Sequence, residues 1–118
     1  MKRVKTELPA CPVKATLELI GDKWTVLIIL NLLNGTKRFG ELKKALNPIT
    51  QKVLTAHLRA MEENALVERR IYAEVPPRVE YTLTSTGYSL TTILDAMKDW
   101  GTRYQRLWRE EIEKEALQ

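Results

Sequence analysis

The sequence predicts a mainly α-helical domain carrying one small β-hairpin, an α+β fold, and three observations support that expectation. Five segments space their apolar residues three and four apart, the helical period. Two short runs on either side of Pro76-Pro77 alternate apolar with polar residues instead, the period of a strand. The 118 residues are 44% hydrophobic and 29% charged, with 5 Gly and 5 Pro. That supplies apolar surface for one core and little room for a second. A single domain, 1–118, is expected.

The elements follow in order. Residues 1–11 form a flexible arm, with Pro9 and Pro12 around Ala10 and Cys11. Pro12 suits the first turn of a helix, where its missing N–H costs nothing. The first helix, Pro12–Ile20, places Val13, Leu17 and Ile20 on one face and stops at Gly21. Asp22 caps a second helix, Lys23–Asn34, which closes at Gly35. From Trp24 to Leu33 that helix is apolar on most sides, so it belongs at the centre of the domain, with a shared subunit surface as an additional role.

Thr36-Lys37-Arg38 reads as a basic turn. The third helix, Phe39–Leu46, turns Phe39, Leu42 and Leu46 inward and Lys43 and Lys44 outward, and Asn47-Pro48 ends it. Thr50 caps a fourth helix that runs to about Asn64. Its stripe of Leu54, Leu58 and Met61 faces a core, which leaves Gln51, Lys52, Thr55 and Arg59 toward solvent. Residues 39–64 are thus a candidate helix-turn-helix. Val67–Val75 and Arg78–Thr84 make a hairpin whose tip is Pro76-Pro77, where no ladder N–H is needed. A helix-turn-helix followed at once by such a hairpin (66–84) is a winged helix. Ser85 or Thr86 caps a last helix, about Thr86–Tyr104 and extendable to Ala116. Its apolar residues Leu90, Ile93, Leu94, Met97, Trp100, Tyr104 and Leu107 run on past anything a small winged domain has to offer, so segment 85–118 is expected to pair with a second copy.

Charge and composition narrow the function. The formal net charge is +4, and its distribution says more than its size. Residues 35–59 hold 6 basic side chains and 1 acidic one, while residues 60–118 hold 8 and 11. Positive charge therefore gathers around the helix-turn-helix and points to a polyanionic partner there. One cysteine excludes an internal disulfide and a cysteine-based zinc site within one chain. The apolar run Val26–Leu33 is too short to cross a bilayer, and MKRVKTELPACP lacks the apolar stretch of a secretory signal. A cytoplasmic protein is expected. No nucleophile has a base at suggestive spacing and no glycine-rich phosphate loop is present, so neither an enzyme nor a cofactor is expected.

Two long stretches then resemble a known family. CPVKATLELIGDKWTVLIILNLLNGTKRFGELKKAL and ITQKVLTAHLRAMEENALVERRIYAEVPPRVEYTLTSTGYSL are similar to the HxlR-type winged-helix transcription regulators, relatives of the broader MarR group. The features that carry the resemblance are the Cys-Pro start, the Ile-Gly-x-Lys-Trp turn, the Arg-Phe-x-Glu-Leu helix start and the Pro-Pro-Arg-Val-Glu-Tyr-x-Leu-Thr wing. The resemblance runs from Cys11 to about Gly101. The family's double glycine before Lys23 appears here as Gly21-Asp22, a change within a turn. The resemblance implies a homodimer that binds double-stranded operator DNA with paired helices and wings. It also implies that Cys11 can sense oxidants or electrophiles, as a matching cysteine does in some relatives.

Specific roles follow from docking geometry. In a dimer the fourth helices enter successive major grooves roughly 34 Å apart, on a near-palindromic operator. Thr50, Gln51 and Lys52 lie at the entering end and Thr55 one turn on; Gln51 suits an adenine edge, and Lys52 a guanine or a phosphate. Arg59, Lys37 and Arg38 are phosphate anchors, and Arg78 is the candidate for an adjacent minor groove. Val13, Leu17, Leu90, Leu94, Met97 and Trp100 are the expected dimer contacts. His57 is expected to be a helix-flank residue. A thiolate at Cys11 is favoured by nearby Lys14 and the helix N-terminus, and with no second cysteine a switch needs the partner copy's Cys11 or a small thiol. The rival reading is a winged helix used for protein–protein assembly without DNA, which would place apolar residues where Gln51, Lys52 and Thr55 stand.

Overall fold

Proline and glycine set the first boundaries. In the computed structural model, which describes residues 7–117, α1 spans Pro12–Ile20 and ends as the Gly21 N–H donates to the Leu17 carbonyl at 2.7 Å. The part of the expected arm before Glu7 lies outside the described residues. Asp22 caps α2, Lys23–Leu32, by accepting the Trp24 N–H at 2.8 Å. This helix stops two residues short of the expected Asn34. Leu33 is its C-cap, and Gly35, at φ 125°, carries the turn in a region that side chains disfavour.

The expected basic turn is in part a strand. β1, Lys37–Arg38, pairs with a later strand, and the Thr36 and Thr82 hydroxyls bond at 2.7 Å beside it. Arg38 is also the N-cap of α3, Phe39–Ala45, where the Glu41 carboxylate accepts the Arg38 N–H at 2.9 Å. Thr50 caps α4, Gln51–Glu63, its hydroxyl accepting the Val53 N–H at 3.1 Å. The helix closes with Ala65 N–H on the Glu62 carbonyl at 3.1 Å and Leu66 N–H on the Met61 carbonyl at 2.8 Å. That closure is a Schellman motif, and it holds Ala65 at φ 61°, a position where glycine is usual.

The hairpin follows as β2, Val67–Tyr72, and β3, Arg78–Leu83, paired from Val67 opposite Leu83 to Tyr72 opposite Arg78. β2 ends at Tyr72 rather than Val75, because the prolines at the tip have no N–H to extend the ladder. With β1 added, the sheet is three-stranded and antiparallel in the order β1-β3-β2. The expected single long last helix is two: α5, Ser85–Ser89, and α6, Thr91–Ala116, with Leu90 between them. α5 is anchored by Thr84, whose hydroxyl accepts the Gly87 N–H at 3.0 Å and donates to the Ala65 carbonyl at 2.6 Å.

The chain divides into two compact units, Met1–Tyr88 and Ser89–Gln118. In the first, Ile28, Ile29 and Leu32 of α2 meet Leu42, the α4 stripe of Leu54, Leu58 and Met61, and Val67 in a fully buried core. The second holds α6. No described helix is long and apolar enough to cross a membrane.

Candidate nucleic-acid interface

The buried stripe of α4 determines what its other face presents. Leu54, Leu58 and Met61 are almost wholly buried, which leaves Gln51, Lys52 and Arg59 exposed and Thr55 half-buried. Neither Lys52 nor Arg59 forms an ion pair with a described residue. Thr50 is exposed at the helix start; its oxygen accepts the Val53 N–H, so its own proton remains free to donate.

Four contacts hold α4 in its seat, and two of them join residues far apart in sequence. His57, on the flank of the stripe, has Nδ1 3.3 Å from the Thr25 hydroxyl and Nε2 3.6 Å from the Asp22 carboxylate. It therefore ties the middle of α4 to the capped start of α2. Near the other end, Glu62 pairs with Arg69 of β2 at 3.4 Å, and Thr50 caps the first turn. Tyr81 of β3 is buried, and burial raises its phenol above the ordinary tyrosine value; Arg69 and Arg59 pull it back down and Glu62 pushes it further up.

Lys37 is half-buried opposite Tyr81 in the sheet, and Arg38 is exposed opposite Glu80. The guanidinium of Arg38 has no described ion-pair partner. Arg78, the candidate for the minor groove, does not project freely. It opens β3, and its side chain lies flat on the hairpin. Nη2 is 3.1 Å from Glu74, Nε is 3.4 Å from Glu80, and the guanidinium carbon is 4.1 Å from the centre of the Tyr72 ring. Its Nε is buried and makes no hydrogen bond. The tip itself is Val75-Pro76-Pro77, fully exposed at Val75.

Sequence reasoning missed Glu74, Glu80 and Tyr72 as the surroundings of Arg78. The Tyr72–Arg78 pair is legible once the hairpin register is known, because the two stand opposite each other. Glu80 shares the face of Arg78 two residues on.

Among the expected dimer residues, Val13 and Leu17 of α1 are exposed. In the second unit Met97 and Trp100 are exposed, Leu90 is half-buried, and Leu94, at 4%, is already covered in the single chain. The exposed α6 stripe continues through Tyr104, Leu107, Trp108 and Ile112, and Trp100 stacks on Tyr104 at 5.1 Å. Cys11 is exposed at the N-cap of α1, where its side chain makes no capping hydrogen bond.

Comparison with known proteins agrees with this architecture. Residues 19–108 match the model of the HxlR-like helix-turn-helix family. The chain is 42% identical over 99 residues to the uncharacterized HTH-type transcriptional regulator YdeP of Bacillus subtilis strain 168, covering 84% of this chain and 77% of that protein. Among solved structures it is similar to the reduced form of the redox regulator HypR, with 39% identity, 85% and 99% of the two chains covered and a TM-score of 0.79. It is likewise similar to a structure from Porphyromonas gingivalis W83 assigned to the MarR family of transcriptional regulators, with 37% identity, 83% and 96% covered and a TM-score of 0.76. A helix-turn-helix followed by a hairpin in a three-stranded sheet and a family match across three quarters of its length lead to one conclusion: the chain belongs to the HxlR-like helix-turn-helix family of transcriptional regulators.

Proposed function

We propose that the protein is a homodimer that binds a near-palindromic DNA operator, with α4 in the major groove and the hairpin beside the minor groove. One observation carries this reading. α4 buries a single stripe and holds Gln51, Lys52 and Arg59 exposed, with both cations free of described ion-pair partners. No internal ion pair has to break before these cations meet a phosphate. In this reading Thr50, Gln51, Lys52 and Thr55 face base edges, Lys37, Arg38 and Arg59 anchor phosphates, and Arg78 serves the wing. The exposed apolar faces of α1 (Val13, Leu17) and of α6 (Met97, Trp100) support pairing of two copies, with Leu90 and Leu94 at the start of the α6 stripe.

The test is salt-dependent binding to a duplex selected from random sequence by the protein itself. Three phosphate anchors per protomer make about six per dimer, so the logarithm of affinity should fall against the logarithm of salt with a slope near −5. Arg59→Gln should flatten that slope by roughly 2, since a dimer loses two contacts. Affinity that ignores both salt and a Lys52→Ala, Arg78→Ala double change would instead favour a protein-assembly module.

HypR is described as a redox regulator, and we extend that property to Cys11 of this chain. Two Cys11 thiols, one from each copy, would lose two electrons and two protons to an oxidant such as diamide and join as a disulfide, while diamide is reduced to the hydrazine. A small thiol in place of the second copy's Cys11 gives a mixed disulfide by the same balance. In the same binding assay, diamide should change the affinity of the wild type and leave Cys11→Ser unaffected.

A further inference from the structure

The wing cation is not available as it stands. Arg78 is 26% exposed, with Glu74 on one nitrogen, Glu80 on another and the Tyr72 ring beneath its plane. One guanidinium between two carboxylates leaves the trio with a net negative charge. A group of that sign gains nothing from the negative potential of a minor groove, which attracts a free arginine. For Arg78 to reach DNA it must leave at least one carboxylate.

The two carboxylates are not equivalent. Glu80 is 22% exposed and lies in register between Arg38 of β1 and Arg70 of β2 on the same face of the sheet. Its charge has cationic neighbours whether or not Arg78 is present. Glu74 is 50% exposed, lies past the end of β2, and pairs only with Arg78 among the described residues. Its contact is the shorter of the two, and no strand holds its side chain in place.

We propose that Glu74 is a latch on the wing: in the free protein it holds Arg78 down on Tyr72, and it thereby limits the affinity of the wing for DNA. This rests on the reading that the wing meets DNA through Arg78. The pair is half exposed and screened by solvent, so its hold is modest. Glu74→Gln keeps the size and polarity of the side chain and removes the charge. It should tighten binding about twofold to fivefold.

Removing a negative charge near phosphates raises affinity by itself, so the experiment is a double-mutant cycle with Arg78→Gln. Binding is measured on the duplex of about 30 base pairs, roughly three turns, selected by the wild type. If Glu74 acts as a latch, Glu74→Gln gains at least about twice as much affinity with Arg78 present as in the Arg78→Gln background. Equal gains in the two backgrounds would overturn the latch and leave general repulsion. A second cycle, by thermal melting without DNA, reports the latch alone. There the two substitutions should be non-additive by about 1–5 °C, whereas additive melting temperatures would overturn it. Arg78→Met, which keeps an aliphatic stem over Tyr72 and removes the charge, repeats both cycles should the Arg78→Gln variant melt too early. A wild type that selects no duplex would sink the DNA reading itself and the latch with it, whatever the melts show; melts that couple beside ordinary salt-dependent binding keep the two failures apart.

Discussion

Replacement of Thr50 can separate the folding role of α4 from its DNA role. The Thr50 hydroxyl accepts the Val53 N–H at 3.1 Å, and the residue stands exposed at the end of the helix expected to enter the groove. Thr50→Ala removes the cap, which costs about 1 kcal/mol in such positions. For a unit ending near Tyr88 that corresponds to a fall in melting temperature of roughly 4–8 °C. Thr50→Asp keeps an acceptor at the same place and adds a charge that the helix N-terminus favours by about 0.3–1 kcal/mol. It should therefore melt at or slightly above the wild type. Against DNA the same carboxylate faces phosphates and base-edge acceptors. A like-charge contact at an interface costs several kcal/mol, so affinity should drop by about tenfold or more. Thermal melting and fluorescence anisotropy on a selected duplex read the two effects. A Thr50→Asp variant that melts like the wild type and binds DNA like the wild type would refute the placement of this end of α4 at the groove.

Two further outcomes follow from local geometry. Tyr81 is buried with its phenol raised above the usual value, so the fold favours the neutral form; the contribution is present below the unfolded value of about 10 and is lost as pH rises through the folded one. Alkaline unfolding followed by circular dichroism should therefore be steeper for the wild type than for Tyr81→Phe, and identical curves would remove Tyr81 as the cause. Ala65 occupies the left-handed region at φ 61°, which costs a side-chain-bearing residue about 1–2 kcal/mol. Ala65→Gly should raise the melting temperature, less whatever the glycine adds to the entropy of the unfolded chain.

What the sequence revealed divides by range. Short-range chemistry read well: Pro12 and Gly21 bounded α1, and the Asp22 and Thr50 side chains capped the helices that follow them. The stripe of Leu54, Leu58 and Met61 was legible because one helical period orders it. β1 was not, since two residues carry no period and Lys37–Arg38 is a strand only because β3 lies beside it. The break at Leu90 falls at a position with neither proline nor glycine to announce it. His57 looked like a flank residue because its partners, Asp22 and Thr25, lie more than thirty positions earlier in the chain.

The candidate site shows the same division in its cations. Arg59, Arg69 and Arg78 are the same residue type within twenty positions of one another, and composition cannot rank them. The structure does, by their carboxylate neighbours. Arg69 is committed to Glu62, where it helps hold α4 against β2, and Arg78 is held by Glu74 and Glu80. Arg59, Lys52 and Arg38 have no such partner among the described residues. A paired cation exchanges one anion for another when it meets a phosphate and gains little; an unpaired one gives up only water and mobile counterions, whose release drives binding. The residues that support the reading element and those that would bind with it are therefore distinct sets. Removing Arg69 should act on the position of α4, whereas removing Arg59 should act on affinity with the fold unchanged.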